Sequence, residues 1–102
     1  MTVFLVGVDE LTKEQVDAFV EFCKSKGAGY WHWISGTWIV DPGSQPLNVD
    51  LIRDRLMQIA PGVNVLVIEV SAIKTWSGFG PNSAEKDGRN MFTWLKENLK
   101  LT

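Results

Sequence analysis

"GYWHWISGTWIV", Gly29–Val40, gathers three of the five tryptophans, the only tyrosine and the only histidine into twelve residues. Two readings compete for it. One is a binding, metal or catalytic site made of rings and an imidazole. The other is a hairpin. "YWHWI" and "TWIV" are aromatic and β-branched runs, which suit a pleated, half-buried surface. Ser35-Gly36 separates them, and two residues with a glycine between such runs make a tight hairpin turn. Alternation then places Trp31 and Trp33 on one face of the strand and Tyr30, His32 and Ile34 on the other. The stretch carries no Lys, Arg, Asp or Glu. That weakens both the metal and the nucleic-acid readings and favours the hairpin.

The flanks extend the pattern in both directions. "TVFLVGV" (Thr2–Val8) is apolar and β-branched almost throughout, as a central strand requires. "TKEQ" follows as a capping box of Thr12 and Gln15. Val16, Phe19, Val20 and Cys23 then fall at i, i+3, i+4, i+7, one stripe of an amphipathic helix. Lys24 and Lys26 suit the C-terminal end of its dipole, and Gly27 suits the residue just past it. After the hairpin, "DPGSQP" is loop by composition. Asn48 caps a second helix whose buried stripe is Val49, Ile52, Leu56 and Ile59. Pro61 ends it. "NVLVIEV" (Asn64–Val70) is a fourth strand. Strand, helix, strand, strand, helix, strand is the α+β, ferredoxin-like βαββαβ sandwich with an antiparallel sheet. Two helices cover one sheet face, and the other face is left open for a partner.

We read residues 1–102 as a single domain with its core in residues 2–71, a loop over 72–83 and a C-terminal helix over about 84–100. Phe92, Leu95 and Leu99 recur at helical spacing in that last segment, with Met91 and Trp94 beside them. Ten basic and twelve acidic residues give a net charge of −2, against the basic balance of a generic nucleic-acid binder. The single Cys23 excludes an intrachain disulfide. No leader-like segment is apparent, and no apolar run nears the roughly 20 residues that span a bilayer. A cytoplasmic setting without a membrane partner is expected.

Several of these residues together resemble a known group. A first strand ends in an acidic residue ("FLVGVD"), and an amphipathic helix ends in Lys-Gly. An aromatic hairpin ("WHWISGTWIV") follows, then a helix with "IRDRL" and an apolar strand, "VLVIEV". This resembles the SinR-like small bacterial and phage proteins. That group is similar in fold to VapD ribonucleases and to the small dimeric subunit of the CRISPR spacer-integration complex. The resemblance covers about Val3 to Ser71, and the "WLK" helix is similar to the group's tail. It implies a homodimer and a setting in phage or host-defence biology. It also implies that Asp9, at the end of the first strand, is a catalytic and metal-ligating candidate near a dimer axis. A magnesium ion would then take its carboxylate, since Mg²⁺ binds through one or two carboxylates plus phosphates. Nothing else of a catalytic constellation maps onto this chain.

Weighed individually, most candidates favour structure over chemistry. His32 has no neighbouring ligand set and reads as a hydrogen-bonded structural residue. Cys23 lies on an apolar stripe and is expected to be buried and inert. The glycines of "GFGPNSAEKDG" lack the spacing of a phosphate loop. Tyr30, Trp31, Trp33, Trp38, Trp76 and Phe79 are the candidate binding residues. Base stacking on them needs nearby cations, yet no Lys or Arg lies between Gly27 and Leu51. The expectation is a small non-catalytic protein that acts through self-association or a protein partner, with no cofactor. The alternatives are a metal-dependent nuclease dimer using Asp9, and a nucleic-acid-binding protein that does not cleave.

Overall fold

Alternation along the first strand sets the two sides of the sheet. In the computed structural model, which describes residues 2–71, 76–80 and 90–98, this strand, β1, spans Val3–Val8. Its even residues Phe4, Val6 and Val8 join one buried cluster with Phe19, Cys23, Ile52 and Leu56 from two helices. Leu5 and Gly7 therefore face the opposite side. The chain forms two compact units, Thr2–Val70 and Ser71–Thr102, the latter with Met1.

The helices begin and end where their caps dictate. In α1, Lys13–Ser25, the Gln15 N–H donates to Thr12 Oγ1 (3.2 Å) and the Thr12 N–H donates to Gln15 Oε1 (2.9 Å), the expected reciprocal box. At its other end Gly27 has φ 65°, a left-handed conformation open to glycine. Ala28 N–H then reaches Cys23 O (2.9 Å) and Gly27 N–H reaches Lys24 O (3.0 Å), which is the Schellman pairing. In α2, Val49–Ile59, Asn48 Oδ1 accepts from the Leu51 N–H at 2.9 Å. Ile52 and Leu56 are buried, and Val49 and Ile59 pack at the margin of the core.

The remaining strands are β2 (Gly29–Ile34), β3 (Thr37–Asp41) and β4 (Val65–Val70). Their order, β2-β3-β1-β4, with every neighbouring pair antiparallel, gives the α+β ferredoxin-like fold. The hairpin differs from strict alternation in one respect. Trp31 opposes Ile39, but Ile34 opposes Thr37, so β2 holds one residue more than β3 between these pairs. Such a bulge shifts the faces by one. Ile34 thus comes round to the side of Thr37 and Gly7, away from Tyr30 and His32. The turn itself is pinned to β1. Val8 N–H donates to Gly36 O at 2.9 Å, and a Cβ on Gly36 would lie 2.7 Å from the Val8 carbonyl oxygen.

Trp38 of β3 is the centre of the core and fully buried. Phe19 meets it edge-on at 4.8 Å, Tyr30 tilts against it at 5.8 Å, and His32 stacks parallel at 3.6 Å between centroids. Its Nε1–H is buried with no hydrogen-bond partner among the described residues.

The second unit is described over residues 76–80 and 90–98. A short helix, α3, spans Thr93–Asn98. Just before it, Asn90 Oδ1 accepts from the Phe92 N–H at 2.8 Å, a local turn. Residues 84–89 and 99–100 of the expected helix, and 72–75 and 81–83 of the expected loop, lie outside the described residues. Met91, Phe92 and Leu95 are buried, and Trp76 tilts against Phe92 at 5.9 Å.

Two substitutions separate packing from polarity at the core. Trp38→Ala is expected to cost roughly 3–5 kcal/mol, as for other large core truncations. Trp38→Phe is expected to cost markedly less. It keeps a ring against Phe19 while removing an unpaired N–H, whose burial is worth roughly 1–3 kcal/mol. Urea denaturation of the two variants checks both.

Candidate functional site

Four strands with no Lys or Arg among them build the sheet face that points away from α1 and α2. The register lays out its rows. Trp31, Ile39, Leu5 and Ile68 run across all four strands, and Thr37, Gly7 and Leu66 run beside them. Burial falls off along the first row. Trp31 is buried, Ile39 half-buried, Leu5 39% exposed and Ile68 45% exposed, while Leu66 in the second row is 63% exposed. In an antiparallel sheet with one face in water, these outward positions are ordinarily polar. Here they are aliphatic, and β4 is an edge strand whose one charge is Glu69.

A hollow of about 140 Å³ opens in this face, lined by Leu5, Val6, Gly7, Thr37, Leu66 and Ile68. A second, shallower depression of about 310 Å³ adjoins it and is lined by Gly7, Val8, Asp9, Asn64, Val65 and Leu66. Asp9 stands exposed at its rim. Asp9 Oδ2 accepts from the Asn64 backbone N–H (2.8 Å) and from the Asn64 side-chain amide (3.0 Å), and the Asp9 N–H donates to Asn64 O (3.2 Å). The carboxylate thus ties the end of β1 to the start of β4. Among the described residues, no group of three or more His, Cys, Asp and Glu side chains is placed to hold a metal ion. A magnesium ion at Asp9 would therefore draw on Asp9 with water, phosphate or a second copy.

The aromatic candidates fall into different settings. Trp38, counted among the binding residues on sequence, belongs to the core, because the alternation of β3 turns it toward Phe19. Tyr30 is half-buried against it. Trp31 is buried, Trp33 is exposed, and Trp76 is half-buried beside Phe92. Phe79 is 90% exposed. His32 is a structural residue: its Nε2–H donates to Ser35 O at 3.0 Å within the hairpin turn, and its ring lies flat on Trp38. The helix side carries a mixed-charge depression of about 570 Å³ between α1 and α2, lined by Ala18, Glu21, Phe22, Ser25, Lys26 and Arg55.

The sequence reading foresaw an open face but chose the tryptophans to mark it. Leu5, Gly7, Leu66 and Ile68 were missed. The signal for them was available: they are the odd positions of "VFLVGV" and the even positions of "VLVIEV" once Phe4 and Val67 are assigned to the core. No protein-family model, no curated protein and no solved structure matches this chain. Among the described residues, no helix is long and apolar enough to cross a membrane.

Cys23 yields a prediction about reactivity and pH. It is fully buried on α1, and burial pushes its thiol from the ordinary 9.0 up to about 12. Thiolate is the reactive form, so an aromatic disulfide reagent at pH 8 is expected to label Cys23 only as fast as the fold opens. Adding urea then speeds labelling sharply. The linkage has one sign. The unfolded chain loses this proton near pH 9 and the folded chain holds it to about 12, so stability falls as pH rises above about 9.

Proposed function

We propose that this protein is a small, non-catalytic ferredoxin-like module that works by association through its outward sheet face, first of all with a second copy of itself. The observation that carries the reading is the exposed aliphatic patch of Leu5, Leu66 and Ile68, continuous across β1 and β4 and beside the Gly7 hollow. Contiguous apolar surface of this kind marks interaction sites in small proteins. The absence of Lys and Arg from all four strands favours an apolar partner surface over a nucleic-acid backbone. A cytoplasmic, phage or host-defence setting belongs to this proposal through the resemblance noted above, and no resident cofactor is part of it.

The test is solution mass over a concentration series, by sedimentation equilibrium. A concentration-dependent dimer is expected. Changing both Leu66 and Ile68 to Asp is expected to weaken it at least tenfold, which corresponds to about 1.4 kcal/mol or more. A protein that stays monomeric at high concentration and retains no partner contradicts the reading.

Asp9 supports a second reading, a divalent-metal-dependent nuclease dimer, because it is exposed at the rim of a depression. Two copies of one carboxylate can meet at a two-fold axis. RNA and DNA cleavage is then expected with magnesium or manganese, and Asp9→Asn is expected to lower it at least a hundredfold. Cleavage that survives the substitution removes Asp9 from the mechanism.

A further inference from the structure

We propose that β4 is a docking edge that pairs antiparallel with β4 of a second copy, centred on Val67, so that two sheets join edge to edge. The proposal adds to the self-association reading above: it shares that reading's partner but not its surface. The backbone register shows which groups the edge offers. One step beyond the Val8–Val65 pair of the ladder, the Asp9 N–H donates to Asn64 O. Hydrogen-bonded pairs recur at every second position of an antiparallel ladder, so Asn64, Leu66 and Ile68 turn their N–H and C=O groups toward β1. The Val8 N–H fits the same alternation, since it donates to Gly36 O on the β3 side. The N–H and C=O groups of Val65, Val67 and Glu69 therefore point the other way, to the outer edge. Among the described residues no strand lies beyond β4.

The two edges of the sheet are built differently. A bare edge strand is a template for pairing, and proteins blunt such edges with Lys, Pro or bulges. At the other edge, β2 carries its bulge between Trp31 and Ile34. β4 has none of these devices. It pairs with β1 along its whole length without a register shift, and "VLVIEV" contains no Pro and no Lys. The helix above this edge is apolar where it overhangs it. α1 packs on β2 and α2 on β4, and Arg55 of α2 turns toward α1, where it lines the depression between the two helices. Met57 follows Arg55 by about 200° round the helix, so it turns away from α1, to the side of the free edge. It is 54% exposed.

A second copy of the same strand satisfies this edge in full. A two-fold axis at Val67 sets Val67 opposite Val67 of the partner subunit, and Val65 opposite the partner subunit's Glu69. Each outward N–H of the three residues then meets an outward C=O. Leu66 falls opposite the partner subunit's Ile68, an aliphatic cross-strand pair. This register also separates the charges. Glu69 is the only charged residue of β4, and like charges directly opposite each other destabilise a pair. Centring on Val67 places the two Glu69 carboxylates at opposite ends of the new ladder, each beside a valine.

The experiment is amide hydrogen exchange of the full chain, followed by NMR well above and well below the dimer midpoint found by sedimentation equilibrium. The amides of Val65, Val67 and Glu69 are expected to exchange at least tenfold more slowly in the concentrated sample, relative to those of Leu66 and Ile68, which are bonded to β1 at both concentrations. Disulfide trapping reads the register. An equimolar mixture of Leu66→Cys and Ile68→Cys is expected to form a mixed disulfide under mild oxidation, because opposite Cβ atoms lie about 4.5–5.5 Å apart. Leu66→Cys alone is expected to bridge at least tenfold more slowly, because its two thiols sit on a diagonal of about 7–8 Å. Cys23 is buried and does not compete. If the chain associates while the three amides exchange equally fast at both concentrations, the edge pairing is refuted and association through the outward face stands. If Leu66→Cys alone bridges as fast as the mixture, the Val67-centred pairing falls. If the chain is a strict monomer, the edge pairing and the self-association reading fall together.

Discussion

The ring contacts of Trp38 are the interactions on which the rest of the structure depends. This one side chain is touched by α1 through Phe19 and by β2 through Tyr30 and His32. Aromatic pairs of this kind add roughly 0.5–1.5 kcal/mol each beyond the area they bury. The chain thus uses its single histidine and its single tyrosine to fix the hairpin against the helix layer. His32 is also tied to the Ser35 carbonyl, which links the turn to the ring stack and the core. Among the described residues the Trp38 N–H has no hydrogen-bond partner, which sets polarity against packing at the centre of the core.

Fixing the hairpin in this way determines what the other face can be. Once Phe4, Val6 and Val8 are committed to the helices, period-two alternation sends Leu5 and Gly7 outward with no further choice. β4 follows, with Val65 and Val67 packed inward and Leu66 and Ile68 outward. Leu66, at 63% exposed, is the outward site where a polar residue would cost folding least.

Much of this was legible in the sequence, for identifiable reasons. The caps at Thr12, Asn48 and Gly27 are local, with each partner within a few residues, and they hold as read. The strand order follows from the helix and strand periods in "FLVGV", "TWIV" and "VLVIEV". The bulge in β2 was not legible, because "YWHWI" alternates perfectly as text and the extra residue shows only against its partner strand. Ile34 was assigned to the wrong face for that reason. Trp31 and Trp33 looked equivalent, yet one is buried and one exposed, a difference set by non-local surroundings. Phe79, expected as a binding residue, is 90% exposed.

Magnitudes indicate how strong an association this face can support. Covering the exposed fractions of Leu5, Leu66 and Ile68 is worth about 2–4 kcal/mol per copy, on the scale of 1.5–3 kcal/mol for a fully buried aliphatic side chain. A two-fold contact doubles that figure. Association itself costs roughly 4–15 kcal/mol in lost freedom. The aliphatic patch alone therefore sits near break-even, and a dimer held only by it is weak.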